Sequence, residues 1–302
     1  MTSSGYQPGK QNVRQAWLFA LPALLGLLCF VLLPFVLSVI ISFTNLRLGS
    51  PLPLEFMGFS QYQRIFTDQA FLAALRNNAL FALIVVPLQT GLALLLALLI
   101  NQPLHGMVFF RSLFFMPVVF PLSLVAVVWI LVFAPGPQGL LNQVLETITL
   151  GSWQARDFLH DPAWALPAIS LTSIWQGVGF QMVILLAALQ GIPHELYEAA
   201  RVDGADRWQQ FICITLPQLR NAIIFVVLVT TILAFRLFDQ VQIMTQGGPN
   251  HATTTVMYEA VNSAFGSQQV ARAAAMTVVF FTIVLLITLL QRAVSRHERV
   301  IE

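Results

Sequence analysis

The chain is poor in charge. Only 9% of its 302 residues are Asp, Glu, Lys or Arg, while 57% are hydrophobic. A soluble domain carries about 25% charged residues, so the composition is that of a membrane protein. Lysine is almost missing, Lys10 being the only one. No G-x-x-x-x-G-K-[ST] stretch occurs, which excludes a phosphate-cradling nucleotide site on this chain. A net charge of +2 and the lack of any basic cluster exclude nucleic acid as a partner. Cysteine is scarce as well: Cys29 lies in an apolar run and Cys213 in a charged one, so neither a disulfide nor a metal site is expected. Acidic residues are absent from the interiors of the apolar segments, and inverted repeats are not apparent. That argues against a secondary transporter, which needs intramembrane ionisable groups to couple to protons or sodium. No HExxH, GxSxG or intramembrane Asp pair is present, so the chain reads as a non-enzyme.

What is present is grease in lengths that fit a bilayer, for which about 20 apolar residues suffice. Six candidate spans follow: Trp17–Ser42, Phe71–Ile100, Ser112–Phe133, Trp164–Leu189, Leu219–Phe238 and Ala273–Gln291. The first is too long for a secretory signal, contains Pro22 and Pro34 and has no A-x-A site, so it reads as a retained helix. Pro34, Pro87, Pro117, Pro121 and Pro167 inside the spans suggest bent helices around a pathway, although proline also serves simple packing kinks in membranes. With both termini inside, Lys10, Arg14, Arg111, Arg201, Arg207, Arg220, Arg292, Arg296 and Arg299 face the cytoplasm. Arg47, Arg64, Arg76, Arg156, Arg236 and Arg272 face out, on the side that holds the longer loops 44–70, 134–162 and 239–272. The positive-inside bias therefore favours N-in and C-in, modestly. The expected organisation is a cytoplasmic tail over 1–15, an all-α six-helix membrane domain over 16–292 and a cytoplasmic tail over 293–302.

The most polar long stretch, "YEAARVDGADRWQQFICITLP" (197–217), lies between the fourth and fifth spans within the loop 191–217. Pro193 suits a first helical residue, with Glu195 in the first turn where the helix dipole favours an anion. Leu196, Ala199 and Ala200 share a face. Gly204 is a natural left-handed stop. Asp206 with Gln209 forms a capping box, and Trp208, Phe211, Ile212 and Leu216 make the next apolar face. Pro217 ends this helix or starts the next span. The result is a helix–turn–helix elbow. It fits a membrane-surface element, but its acidic residues mixed with arginines suit a protein partner better than anionic lipid.

Glu198-Ala199-Ala200, three residues, Gly204, nine residues and Ile214-x-Leu216-Pro217 resemble the EAA loop of ABC-importer permeases, without a gap. "MTQGGPNHATTT" (244–255) resembles the Gly-Gly-Pro stretch of the carbohydrate and glycerol-3-phosphate permeases. "RNNALFA" (76–82) resembles the polar opening of their second span. The two extra N-terminal spans of the maltose-type relatives are missing. The resemblance implies the type I importer permease fold, sited in a bacterial or archaeal inner membrane. It implies a second homologous permease, two copies of a cytoplasmic ATP-binding subunit and an extracytoplasmic solute-binding protein as partners. ATP and Mg would sit on the ATPase and no cofactor on this chain; the transported solute would be a sugar, polyol or glycerol-phosphate-type compound. In that family's terms the elbow is the coupling helix. Glu198 and Arg201 supply charged contacts or an internal pair, Ala199 and Ala200 close approach, Asp203 and Gly204 the turn, Trp208, Phe211 and Leu216 anchorage, and Pro217 the exit into the fifth span.

Polar and aromatic residues within spans are candidates for the solute path: Asn77, Asn78, Gln89, Trp175, Gln176, Phe180, Gln181, Phe235 and Asp239. Aromatic faces beside amides suit a polyhydroxylated ligand. Trp175 equally fits an interfacial anchor, Asn77 and Asn78 equally fit helix caps, and Arg236 with Asp239 equally fits a local i,i+3 pair. Gly247, Gly248 and Pro249 are candidates to meet the binding protein, or are loose turns. A channel or secondary transporter with its elbow lying on lipid is the alternative for the whole chain.

Overall fold

The computed structural model describes residues 10–102 and 106–297. Arg299 and the extreme ends of both tails lie outside the described residues. Apart from one antiparallel bridge between Thr44 and Phe56, the regular structure of the described residues is helical. We number the helices α1 (Trp17–Ile41), α2 (Ser60–Thr67), α3 (Gln69–Ile100), α4 (Met107–Val119), α5 (Leu122–Val132), α6 (Leu140–Ile148), α7 (Ala165–Gln190), α8 (His194–Val202), α9 (Arg207–Phe235), α10 (Val256–Val261) and α11 (Val270–His297). The helical stretch that ends in α1 begins at Lys10.

Five of the described helices (α1, α3, α7, α9 and α11) are long and apolar enough to cross a membrane; a sixth span exists only if α4 and α5 count as one. The expected span over 112–133, in which Pro117 and Pro121 suggest a bend, is broken into two helices. α4 and α5 meet at an angle of 100°. Phe120 is extended, at φ −80° and ψ 139°, because it precedes Pro121, whose ring forbids the α conformation there. Pro121 has no N–H to continue the ladder, and Pro117 lies one turn earlier. The other spans agree with their apolar runs to within a few residues, except that the fifth starts early, as described below.

α3 and α7 form the axis of the bundle, with α9 and α4 packed against them and α11 gathering α1, α2 and α10. Two apolar clusters fill it. One, with Phe71, Phe81, Ile169, Phe235, Val241 and Met276, lies towards the far end from the elbow. The other, with Ala93, Ala97, Met182, Leu185, Leu189 and Leu219, lies towards the elbow. Ala93 and Ala97 are fully buried. Without hydrophobic driving force between helices in lipid, such small residues allow the close backbone approach that holds them together. Gly179 carries this further, since a methyl there would collide with the Phe114 carbonyl of α4. α1 stands largely apart, touching the bundle through its Leu33–Ile41 portion against α11, with Phe35 and Phe281 ring centroids 4.5 Å apart.

Candidate functional site: the elbow and the amide cleft

The elbow is built by local rules. α8 begins after Pro193, which is the extended N-cap rather than the first helical residue. At its other end Gly204 adopts φ +81°. Ala205 N–H donates to the Ala200 carbonyl at 2.9 Å and Gly204 N–H to the Arg201 carbonyl at 3.1 Å. These two bonds make a complete Schellman turn, which an L side chain at Gly204 would strain. The Asp206 carboxylate accepts from Gln209 N–H at 2.7 Å, and Gln209 Oε1 accepts from Asp206 N–H at 2.8 Å, so the expected capping box is present. Tyr197 and Thr215 hydroxyls meet at 2.9 Å, fastening α8 to α9.

Two expectations change here. Pro217 neither ends a helix nor starts one: α9 runs unbroken from Arg207 into the span, and a wider π turn over Phe211–Thr215 precedes the proline and accommodates its missing N–H. No ion pair joins Glu198 to Arg201 among the described residues; Arg201 Nε donates to the Tyr197 carbonyl at 3.3 Å instead. Trp208 is 68% exposed, its ring 5.7 Å from that of half-buried Phe211. Leu216 is exposed and so are Glu198, Ala199 and Asp203, while Ala200 is half-buried. The elbow thus presents small, apolar and charged groups outward together.

The second constellation lies between α3, α4, α5, α7 and α9. A cavity of about 280 Å³ at the far end is lined by Phe81, Gln89, Ser173, Gln176, Gly177, Thr230, Leu233, Arg236, Phe238, Asp239 and Gln240, among others. A second of about 140 Å³, nearer the elbow, is lined by Gln89, Val118, Gln176, Gly177, Phe180, Gln181, Ile184, Val226, Val229 and Leu233. Gln181 is buried, and its Nε2 donates to Thr230 Oγ1 at 2.5 Å; Thr230 in turn donates to the Val226 carbonyl at 2.7 Å. Ser173 Oγ donates to Gln240 Oε1 at 2.7 Å. Gln176 Nε2 donates to the Phe120 carbonyl at 3.3 Å, across the α4–α5 break. Gln89, Gln176, Phe180, Gln181 and Asp239 are therefore brought together. Trp175 points elsewhere, half-exposed with its ring 5.6 Å from Trp129, and Phe235 is buried in the apolar core. Arg236 and Asp239 are exposed at the cavity rim and are not ion-paired with each other.

Asn77 and Asn78 are not caps. The N-cap of α3 is Asp68, which accepts from Ala70 N–H at 2.9 Å, whereas the two asparagines sit in the third turn and are buried. Asn77 Nδ2 donates to the His251 and Thr254 carbonyls at 2.8 and 3.0 Å. Asn78 accepts from Val256 N–H at 2.9 Å and donates to the Phe235 carbonyl at 3.3 Å. Asn78 is committed to the start of α10 and the end of α9, and Asn77 to the segment before α10. That segment is no loose turn: Gly247 is buried at φ +78° against the Tyr258 ring, and Thr253 Oγ1 donates to the Gly248 carbonyl at 2.7 Å. Burial raises the Tyr258 phenol above its usual pKa, and neighbouring Glu259 adds to the rise.

Sequence reasoning missed Gln240, Ser173 and Thr230, whose partners lie on other helices, and Asn142. Asn142 is buried and ties the segment between α5 and α7 together. Its Nδ2 donates to the Gly136 and Arg156 carbonyls at 3.0 and 2.9 Å, and its Oδ1 accepts from Trp153 Nε1 at 3.0 Å. In the same segment, burial alone would raise the Asp157 pKa, but hydrogen bonds from the His160 side chain and backbone outweigh it and hold the carboxyl below its usual value.

The family described as "Binding-protein-dependent transport system inner membrane component" matches residues 89–300, which include the elbow and most of the cleft lining. The chain belongs to this family. It is a multi-pass inner-membrane protein and an ABC-type transport permease. It is 37% identical to the diacetylchitobiose uptake system permease of Streptomyces coelicolor over 88% of this chain and 78% of that one. It is 33% identical to the lactose transport system permease of Rhizobium radiobacter (82% and 83% covered). It is 34% identical to the sulfoquinovosyl glycerol transport system permease of Agrobacterium fabrum (94% and 91%). Its fold matches that of a chain from a bacterial ABC transporter that imports alginate, with a TM-score of 0.80 at 23% identity over 95% of this chain and 98% of that one. The same fold is seen in the alginate transporter solved with an alginate pentasaccharide-bound periplasmic protein, at a TM-score of 0.82 and 22% identity (96% and 98% covered).

Proposed function

We propose that this permease forms half of the translocation pathway of an ATP-driven importer for a sugar-class solute. It would be paired with a second permease, powered by two copies of a separate ATP-binding subunit and supplied by an extracytoplasmic binding protein. The observation that carries the reading is the elbow. The EAA spacing coincides with a locally self-sufficient Schellman turn and capping box, and its outward face is unoccupied by the rest of the chain. A rigid, exposed element of that kind suits a mechanical contact: ATPase closure biases a two-state helix packing, and the elbow transmits the bias. Glu198, Ala199, Ala200, Arg201, Asp203, Gly204, Trp208, Phe211, Leu216 and Pro217 would form the coupling element. The membrane domain would span 16–292, with short cytoplasmic tails on either side, and the elbow would face the cytoplasm. This chain would hold no cofactor and catalyse no reaction; ATP and Mg would be bound by the ATPase. Substrate names among the relatives (diacetylchitobiose, lactose, sulfoquinovosyl glycerol) support a saccharide or glycoside solute.

Co-purification tests this. The tagged chain, expressed with its neighbouring genes and solubilised mildly, should bring a second permease and an ATPase that hydrolyses ATP. Gly204→Trp should retain the second permease and lose the ATPase. The intrachain space beside Gly204 is open, so the cost arises from the left-handed backbone, roughly 1–2 kcal/mol, and from bulk on the contact face. A chain that comes out alone, indifferent to Gly204, would make the elbow a lipid-surface element and favour a channel.

A further inference from the structure

A third cavity, of about 440 Å³, lies between the early turns of α3, the start of α7 and the turn over 249–252, and it shares no lining residue with the cleft. Arg76, Leu80 and Ile84 recur every four residues and share one face of α3, whereas Phe81, Val85 and Gln89 line the cleft from another. Depth divides the lining. A bilayer core takes about 20 helical residues. Counted back from the elbow-side end of α3 at Ile100, they reach Phe81. Arg76 then stands about 7 Å beyond the hydrocarbon, within the headgroup layer. Leu80, which is exposed, and Ile84 carry the same face across the hydrocarbon boundary, with Leu166 and Pro167 of α7 opposite. The cavity is therefore polar at headgroup depth and apolar below it. Arg76 is exposed and makes no ion pair or side-chain hydrogen bond among the described residues. His251 is exposed too, but its backbone is fixed. Its φ is +60°, that of Asn250 is +48°, and Ala252 N–H donates to the Pro249 carbonyl at 2.8 Å. Two successive left-handed residues without glycine are costly, and buried Asn77 holds the turn by donating to the His251 carbonyl at 2.8 Å. No Asp or Glu lines the cavity, and Asp161, next to the lining in sequence, is engaged with Ala163 N–H at 2.9 Å.

We infer that this cavity binds the headgroup of an anionic phospholipid, of the phosphatidylglycerol class, from the leaflet opposite the elbow. The Arg76 guanidinium offers its fork of N–H groups to two phosphate oxygens, and the His251 imidazole adds an N–H in either charge state. The first part of an acyl chain runs down Leu80 and Ile84. A zwitterionic headgroup is the poorer ligand, because it sets its own ammonium against Arg76. A lipid held there ties α3 and α7 to the turn 249–252, beside the bonds that Asn77 makes. The inference stands apart from the importer reading: it requires only that α3 spans the bilayer.

Photolabelling tests this on the full complex in phosphatidylcholine nanodiscs. A trace lipid with a diazirine near the carboxyl end of one acyl chain is added, either as phosphatidylglycerol or as phosphatidylcholine, and labelled peptides are mapped by mass spectrometry. Phosphatidylglycerol should label 80–84 and 166–167 about fivefold more than phosphatidylcholine, the preference that one cation near a membrane surface supplies. Arg76→Gln with His251→Asn should bring the two lipids to within about twofold; asparagine tolerates the left-handed backbone at that position. Arg47→Gln removes an exposed arginine outside the cavity and should leave the preference unchanged. Unaltered labelling at exposed Leu286 and Leu290 of α11 reports an intact fold, and Arg76→Gln alone is the milder variant if the pair does not fold. Inorganic phosphate in large excess should not compete. Competition by phosphate would make this a site for a free anion and overturn the inference. Equal labelling by the two lipids, or a preference that survives the loss of Arg76 and His251, would overturn it as well. An equal loss with Arg47→Gln would do so by showing diffuse attraction, and label absent from both stretches by showing that a partner protein covers the cavity.

Discussion

Asn78→Ala isolates what the polar pair on α3 does. Asn78 is 1% exposed, and so is Val256, whose N–H it accepts. Val256 is the first residue of α10, where an N–H has no intrahelical acceptor. Alanine therefore strands a buried donor that water cannot reach, at about 1–3 kcal/mol. The second bond lost, to the Phe235 carbonyl, is long at 3.3 Å. Hydrogen bonds of membrane proteins average about 0.6 kcal/mol. The sum is about 1.6–3.6 kcal/mol, and it falls on one place, the packing of the α10 start against α3. Local opening free energy sets amide exchange. At about 1.4 kcal/mol per tenfold, exchange at Val256 and the first turn of α10 should accelerate roughly 15- to 400-fold. Hydrogen exchange read by mass spectrometry on the protein in nanodiscs measures this peptide by peptide. Unchanged exchange over 251–261 would refute the reasoning, because it would mean the N–H finds another partner. Acceleration spread evenly over α3 and α7 would refute it differently, by showing that the amide supports the whole bundle. Asn77→Ala is the internal control: it removes a donor from two carbonyls, leaves no stranded N–H, and should accelerate the same peptide less.

Gly179→Ala should destabilise the α4–α7 contact by about 1–3 kcal/mol, the range for overpacking, because the Phe114 carbonyl occupies the space of the new methyl. A lowered melting temperature in a fluorescence size-exclusion assay is the expected outcome, and an unchanged one contradicts the packing. Tyr197→Phe removes the hydroxyl contact with Thr215 and should weaken the elbow by about 0.5–1.5 kcal/mol. Its readout is faster exchange over α8 with unchanged exchange in α3; equal protection in wild type and variant would show that the contact fastens nothing.

How much of this was legible in the sequence follows from range. The capping box and the turn at Gly204 were readable because their bonds close over three to five residues. Spans α3, α7 and α11 were readable because length and apolarity alone define them. At α4–α5 the prolines announced a bend, but nothing local set its 100°. What the buried amides bind was not legible. Asn78 binds a residue 178 positions away, Ser173 one 67 away and Gln181 one 49 away. No periodicity distinguishes such an amide from one that caps a helix or meets a solute. The exposure of Trp208 was not legible for a related reason: an apolar face on an amphipathic helix is the same pattern whether it is buried within the chain or left for a partner.

α9 joins the two halves of the site. It is one helix of 29 residues, about 43 Å long at 1.5 Å per residue. Its first turn is the capped second arm of the elbow, and its last turns carry Thr230, which orients Gln181, and Leu233, which lines both cavities of the cleft. A helix of that length has few places to yield, and departures from straightness have local causes. The π turn at Phe211–Thr215, followed by Pro217, is such a place, and it lies at the elbow end. Beyond it no proline or glycine interrupts the helix up to Phe235. A displacement of the elbow is therefore either absorbed at the π turn or carried as rigid motion to Thr230 and Leu233. The Tyr197–Thr215 contact bridges that compliant point and biases the outcome towards transmission. Tyr197→Phe accordingly does more than loosen α8: it should reduce ATP-driven change in thiol labelling at Gln181→Cys while leaving ATPase binding intact. Undiminished change in that variant would mean that motion reaches the cleft by another helix.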